Sequence, residues 1–322
     1  MSPKSILVTS ASGKIGRELV PLLLSTTAKD NTKLVLPTSS ASRLSAAYPE
    51  DASRLAIAEG KVSDPVWLES LCKEHAVETA FLNLGGQDEL YTALGALDSF
   101  SRAGVKHVIY LSAAGEFTSP QGVAEVLRVF GSAEVVAKVA IEQRLLYGQY
   151  PFKWTVVGPT LFFENDLMAP DLLVKEGVLP QPLGEQGVSR VSCADIARVV
   201  VKSAEDGGEK LNGRKVNVGS ARRFTGRETE ALWGQALGRE VYVAKGDKEG
   251  LEAFEMGLRE VIPGVAGRAI GRDLVMMASG WVREGFGVSE DEYRLTRAVL
   301  GKEADNYEEW VVKTAKELKE QK

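Results

Sequence analysis

Ser5-Ile-Leu-Val-Thr-Ser-Ala-Ser-Gly-Lys-Ile-Gly16 joins a short apolar run to a turn of small residues, and Arg17-Glu-Leu-Val-Pro-Leu-Leu-Leu24 continues it with helical spacing. A strand, a tight turn and a helix follow one another. The backbone N–H groups of such a turn, with the helix N-terminus behind them, form a site for a pyrophosphate, and glycines keep side chains out of its way. The spacing is Ser10-x-x-Gly13-x-x-Gly16, so serine replaces the first glycine of a G-x-x-G-x-x-G turn. We read Thr9, Ser10, Ser12, Gly13, Lys14, Ile15 and Gly16 as a modified phosphate-binding turn, with the Ser10 hydroxyl able to contact phosphate. The competing reading is a helix-packing turn with no ligand; the setting between a strand and a helix favours the first.

The remaining bulk properties narrow the class. The chain has 322 residues, 44% of them hydrophobic, enough for a large α/β domain with a smaller lobe. Its formal net charge is -5 and its cations form no block, which argues against a nucleic-acid surface or a polybasic membrane anchor. Cys72 and Cys193 are the only cysteines and His75 and His107 the only histidines, too few and too far apart for a disulfide framework, a metal site or a histidine-based triad. Both cysteines read as buried structural thiols, and His107 as a surface residue at a strand start. Met1-Ser-Pro-Lys4 has no charged leader with a separate apolar core, and no run is long enough to span a bilayer, so a cytoplasmic protein is expected.

Strand patterns at 6–9, 33–36, 55–60, 79–84, 107–111 and 154–157 alternate with helical patterns at 16–25, 42–48, 65–73, 89–103 and 132–147. This alternation predicts a Rossmann-type α/β fold, a doubly wound parallel sheet, over residues 1–168. Segments near 188–220 are expected to return to it, while 169–322 mainly forms a smaller α+β substrate or lid lobe. There, helices are expected at 193–203 and 229–237, a strand pair at 215–218 and 241–244, and close helix contact at Gly267-x-x-x-Gly271. Ligands of doubly wound sheets sit at the carboxyl ends of the strands. The candidate contacts therefore follow the strands: Ser10 to Gly16, Pro37 to Arg43, Asn83 to Gln87 with Asn83, Leu84 and Gly85 foremost, Ser112 to Phe117, and Gly158 to Asn165, including Pro159 and Thr160.

Several segments in order resemble the NmrA-like family of atypical short-chain dehydrogenases/reductases. Val8-Thr-Ser-Ala-Ser-Gly-Lys-Ile-Gly16 is similar to the family's T-G-A-T-G-x-x-G turn. Tyr110-Leu-Ser112, Lys138-x-x-x-Glu142 and Trp154-Thr-Val-Val-Gly-Pro-Thr-Leu-Phe-Phe-Glu-Asn165 resemble its strand serine, helix lysine and W-T-x-x-R-P-x-x-F-x-E-N run, and Val191-Ser-Cys-Ala-Asp-Ile-Ala197 and Glu309-Trp310 also match in kind and order. The resemblance covers most of the chain and implies NAD(P) binding. It departs at two places: Glu134 stands four residues before Lys138, where short-chain reductases place their proton-donating tyrosine, and Gly158 stands where the family often has arginine.

Lys138 and Ser112 are the candidate catalytic residues. Lys138 can hydrogen-bond a nicotinamide ribose or deliver a proton; the spacing of Glu134, Lys138 and Glu142 equally describes a solvated ion-pair ladder. Ser112 can orient a substrate carbonyl or simply close a turn. Tyr110 and Tyr147 read as core. Leu36-Pro-Thr-Ser-Ser-Ala-Ser-Arg43 carries no carboxylate, and Thr38, Ser39, Ser40 and Arg43 suit a 2′-phosphate, so NADP(H) is expected over NAD(H). Phe117, Phe162, Phe163, Asn165 and Trp281 are the candidate substrate contacts, the aromatics among them doubling as candidates for core packing. The favoured function is an NADP(H)-dependent reductase of a small apolar enone, aldehyde, imine or iminium. The alternatives are a redox-silent NAD(P)-sensing regulator with a protein partner, and a non-redox isomerase or cyclase. No metal is expected.

Overall fold

A computed structural model describes residues 5–28, 32–85, 88–262 and 264–320. The expected leader-free start at Met1–Lys4, and Gly86 and Gln87 of the Asn83–Gln87 segment, lie outside the described residues.

The opening run forms β1 (Ser5–Val8), buried along its whole length. Helix α1 (Lys14–Thr26) follows, burying Ile15, Leu19, Val20, Leu23 and Leu24 as one apolar stripe. The alternation continues as β2 (Lys33–Thr38), α2 (Ala41–Ala47), β3 (Leu55–Glu59), α3 (Pro65–Glu74), β4 (Thr79–Leu82), α4 (Glu89–Ala103) and β5 (His107–Leu111). Then come α5 (Pro120–Val129), α6 (Ala133–Tyr147), β6 (Lys153–Pro159), β7 (Leu161–Phe162), α7 (Pro170–Glu176), β8 (Val178–Leu179), β9 (Val188–Val191), α8 (Cys193–Ala204) and β10 (Arg214–Val218). The chain continues through β11 (Arg223–Phe224), α9 (Gly226–Leu237), β12 (Tyr242–Val243), α10 (Lys248–Val261), α11 (Gly264–Glu284), α12 (Glu290–Leu300) and α13 (Tyr307–Glu320).

Strand order in the large sheet is β10-β6-β5-β4-β1-β2-β3, and each pairing from β3 through β6 is parallel. The order reverses between β1 and β4, the switch point at which doubly wound sheets take their ligands. Leu7, Val35, Ala80, Val108 and Val156 form the buried centre, packed against α3, α4 and α6 residues such as Leu68, Leu97 and Ile141.

Two compact units emerge, and they interleave along the chain. The first comprises Met1–Ala113, Ala137–Gly158 and Cys193–Val216; the second comprises Ala114–Val136, Pro159–Ser192 and Asn217–Lys322. The segment from Ala114 to Val136, assigned from sequence to the first domain, thus belongs to the second unit. Its helix α5 was not anticipated, although Ser119-Pro120 is a start signal: the Ser119 hydroxyl accepts from Gly122 N–H at 3.1 Å, with proline at the first helical position.

The expected strand pair at 215–218 and 241–244 does not form. β10 sits at the edge of the large sheet, whereas β12 pairs in parallel with β8. Strand propensity is local, but the partner is chosen by the fold. The glycine spacing in α11 does serve close packing: a Cβ on Gly271 would lie 3.3 Å from the Glu255 carbonyl oxygen of α10.

The second unit is held by a buried polar knot. Asp166 accepts from the Arg190 guanidinium, from the Tyr307 hydroxyl and, at 2.8 Å, from Trp233 Nε1, while Arg190 lies 4.6 Å from the centre of the Tyr307 ring. A fully buried guanidinium is tolerable here because an anion and an aromatic face replace part of its water shell.

His107 corrects the sequence reading: it is buried, not at the surface. The Thr155 hydroxyl donates to the Leu211 carbonyl at 3.1 Å, so His107 Nε2 is the donor in its 3.0 Å contact with Thr155. Burial and the nearby Lys153 ammonium lower the His107 pKa to about 4, against an opposing pull from Asp206. The unfolded chain therefore binds a proton before the native state does. Stability contributed by neutral His107 is present above about pH 6.5 and is lost as pH falls toward 4, amounting to about 2 kcal/mol by pH 5. Urea unfolding at pH 7 and pH 5 checks this, and His107→Gln should flatten the difference.

Candidate functional site

At the carboxyl end of β1 the turn is held by its own side chains. The Thr9 hydroxyl donates to the Asn83 carbonyl at 2.9 Å and accepts from Asn83 N–H at 2.7 Å; the Ser10 hydroxyl donates to the same carbonyl at 3.0 Å. The Ser10 proton is therefore given to the backbone after β4. Ser10 nevertheless keeps the conformation of the glycine it replaces, with φ +53°, at a cost of about 1–2 kcal/mol for a residue carrying a Cβ. Gly13 N–H donates to the Ser10 carbonyl at 2.9 Å and closes the turn.

Gly16 admits nothing larger. A Cβ there would lie 2.4 Å from the carbonyl oxygens of both Ser10 and Ala11. Ile15 is buried, so only its backbone can face a ligand, whereas Ser12 and Gly13 are partly accessible and Lys14 is exposed. Helix α1 has Gly13 as its N-cap, no side-chain cap and no acidic residue in its first turn. A helix start whose N-cap is a glycine and whose first turn carries no acidic residue fits a dinucleotide pyrophosphate.

A buried charged layer lies beyond the ends of β4 and β5. Glu89, the first residue of α4, accepts from Lys138 Nζ at 2.9 and 3.2 Å and from the Tyr110 hydroxyl at 2.8 Å. Glu142, one turn further along α6, accepts from the Ser112 hydroxyl and from Lys215 Nζ at 2.8 Å. Tyr110 and Ser112 are two residues apart on the same strand edge, so their side chains leave the same face. All six residues except Lys215 are buried, and Lys215 is nearly so. Burial raises the Glu142 carboxyl above the usual carboxylate range, opposed by Lys215, by the Ser112 hydrogen bond and by Lys138.

This arrangement decides one reading that the sequence left open and corrects two others. Lys138 is not part of a solvated ladder; its direct partner is Glu89, on another helix. Ser112 gives its proton to Glu142 and so is not placed to donate to a substrate carbonyl. Tyr147 is exposed instead of core, while Tyr110 is buried but carries a polar contact. Glu89 and Lys215 were missed from sequence, although Glu89 had one signal: an acid in the first turn of the helix that follows a ligand-edge loop.

The loop after β2 holds Thr38, Ser39, Ser40 and Arg43, with Ser39 and Arg43 exposed. Thr38 Oγ1 accepts from Ser40 N–H at 3.1 Å. The sequence segment carries no carboxylate, yet the fold brings one: Glu59 Oε2 accepts from Ala41 N–H at 3.0 Å. The premise for excluding an acid at this strand end is thereby corrected. Leu84 is half-buried and Gly85 exposed.

In the second unit, Pro159 accepts from Ala114 N–H at 2.9 Å, and Thr160 N–H donates to the Val218 carbonyl at 2.9 Å. Thr160 Oγ1 is buried without a hydrogen-bond partner. Phe163 packs at 5.1 Å from Tyr307 and 5.6 Å from Trp310, ring centre to ring centre, and Trp281 Nε1 donates to the Pro182 carbonyl at 2.6 Å. Together with buried Phe117 they are interior residues with no open face, which corrects their assignment to a pocket wall. Phe162 and Asn165 are half-buried and keep accessible surface.

Cys72 and Cys193 are buried and unbridged, and burial pushes the Cys72 thiol up to about 12. Among the described residues there is no cluster fit to hold a metal ion and no helix long and apolar enough to cross a membrane.

Comparison with known proteins agrees with the geometry. The profile of a family described as NAD(P)H-binding matches residues 10–207. An NAD(P)H azoreductase of Xenophilus azovorans is 27% identical over 252 residues, 74% of this chain and 76% of that protein. The NADPH-dependent quinone oxidoreductase QOR2 of Escherichia coli, solved with NADPH, superposes with a TM-score of 0.74 at 16% identity, covering 95% of this chain and 98% of that one. NmrA, a negative transcriptional regulator solved with NADP, superposes with a TM-score of 0.74 at 17% identity, covering 100% and 98%. Glycine turn, strand order and profile agree: the chain belongs to the NAD(P)H-binding family and has a Rossmann-type fold like that of NmrA and QOR2.

Proposed function

We propose that this protein is an oxidoreductase that uses NADPH in preference to NADH to reduce a small, apolar, conjugated acceptor: an enone, aldehyde, imine or iminium, or a quinone or azo compound of the kind named for its relatives. The observation that carries the reading is the Ser10–Gly16 turn at the central strand, where glycine caps α1 and Gly16 has no room for a Cβ, in the same unit as buried Lys138. When bound, a reduced nicotinamide supplies a hydride. The chain itself supplies the Gly13–Gly16 backbone for the pyrophosphate, Arg43 and the hydroxyls of 38–40 for a 2′-phosphate, and Lys138 for the ribose hydroxyls. Glu89 keeps the Lys138 side chain in place. With Glu134 at the tyrosine position and the Ser112 proton held by Glu142, acceptors that take their proton from water or Lys138 suit this unit best. Phe162 and Asn165 are the proposed substrate contacts.

The departure at Glu134 also favours a second reading, a nucleotide-sensing regulator without turnover, supported by the likeness to NmrA, a negative transcriptional regulator solved with NADP. Fluorescence and thermal-unfolding titrations with NADPH and NADH, followed by NADPH consumption with quinone, azo and cyclic imine acceptors, separate the two. The reductase reading expects micromolar NADPH binding and turnover that Lys138→Ala lowers on the order of 100-fold. Binding without consumption of NADPH by any acceptor moves the assignment to the regulator or to a non-redox isomerase or cyclase; no nucleotide binding sinks the reductase and the nucleotide-sensing regulator and moves the search to a non-redox ligand or a protein partner.

A further inference from the structure

Glu59 occupies an unusual place for a carboxylate. β2 and β3 run parallel with Thr38 opposite Glu59. The strand end is fixed: Gly60 N–H donates to the Thr38 carbonyl at 2.9 Å, and a Cβ on Gly60 would lie 2.3 Å from the Trp67 ring, so the chain passes close under that side chain only as glycine. From this tethered position the Glu59 side chain reaches over the end of β2 and accepts the Ala41 N–H at 3.0 Å, next to Ser40 and two residues before Arg43. A carboxylate at the end of the second strand accepts hydrogen bonds from the adenosine ribose hydroxyls, whereas an arginine accommodates a 2′-phosphate. Ordinarily one residue or the other stands there. Here the loop supplies Arg43 and the neighbouring strand supplies Glu59.

We propose that Glu59 is a nucleotide-selectivity residue: it accepts from the ribose hydroxyls of NADH, opposes the 2′-phosphate of NADPH, and so keeps the preference set by Arg43 and the loop hydroxyls small. The proposal rests on the nicotinamide-nucleotide reading above. The carboxylate acts by charge, since a 2′-phosphate brings between one and two negative charges into a largely solvated locus whose only fixed countercharge from the loop is Arg43. Ala41 N–H holds the carboxylate at the strand end, so a phosphate entering there must either displace it or lie beside it.

The test is binding, independent of turnover. Wild type, Glu59→Gln, Glu59→Asp and Arg43→Ala are titrated with NADPH and NADH by nicotinamide fluorescence, and with 2′,5′-ADP and 5′-AMP by thermal unfolding, the last two probing the adenosine end alone. The proposal expects wild-type dissociation constants for NADPH and NADH within about tenfold of each other, a gain of about tenfold for NADPH and 2′,5′-ADP in Glu59→Gln, and a loss of similar size in Arg43→Ala. Glu59→Asp, which keeps the charge, should stay nearer wild type than Glu59→Gln. Binding of both nucleotides with a ratio unmoved by Glu59→Gln overturns the inference and leaves the reductase reading standing. Binding of neither nucleotide to wild type overturns both.

Discussion

Gly16→Ala is expected to lower nicotinamide-nucleotide affinity by at least about 100-fold, equivalent to about 2.7 kcal/mol, while leaving the fold intact. The new methyl group would sit 2.4 Å from two backbone carbonyl oxygens, those of Ser10 and Ala11. Neither is the tip of a flexible side chain, so the turn itself must move. Movement there disturbs the Thr9 and Ser10 hydrogen bonds to Asn83 and the direction of the N–H groups that open α1. Fluorescence titration with NADPH measures the loss, and circular dichroism confirms that the helices remain. Gly104→Ala is the control: Gly104 has φ +77° at the end of α4 with open space around it, so the change should cost stability of about 1 kcal/mol and no affinity. Nucleotide binding unchanged in Gly16→Ala would remove the turn from the site.

Glu89→Ala should destabilise the protein by about 3–5 kcal/mol, because it leaves the Lys138 ammonium buried without its bidentate acceptor and takes the carboxylate away from the Tyr110 hydroxyl. Water cannot readily replace the carboxylate, since Glu89 and Lys138 are both buried. Removing the charge along with the acceptor, as in Glu89→Leu combined with Lys138→Met, should restore most of the stability while abolishing the contribution of Lys138 to ribose binding. Denaturant unfolding of the single and double variants reads the coupling between the two residues. An additive outcome would mean that the ion pair contributes little and that Lys138 is held by packing along its methylene stem.

Much of the sheet was legible in the chain because its signals are local. β1, β2, β3, β4 and β5 lie within a few residues of their expected positions, and α4 spans the expected 89–103, since apolar periods of two and 3.6 residues are imposed by the element itself. Gly13 and Gly16 were likewise readable, because a turn that packs a helix start against a strand tolerates no side chain at fixed positions. The second unit was harder. Its strands are two to four residues long, too short to show a period, and β12 found its partner in β8 instead of in the nearest strand pattern.

What the sequence by itself determined is the architecture of the first unit, the glycine turn between β1 and α1, and the family. Those follow from spacing within about a dozen residues. What only the tertiary structure decided is the electrostatics of the site. Lys138 pairs with Glu89 across 49 positions, Glu142 with Lys215 across 73, and Glu59 meets the Ala41 N–H across 18. The helix spacing of Glu134, Lys138 and Glu142 left a ladder along one surface open as an alternative, and the burial of Lys138 and Glu142 decides against it. A charged group taken out of water needs its counter-ion at hydrogen-bond distance, and the fold supplies it from whichever strand or helix ends nearby, a proximity that no local spacing records.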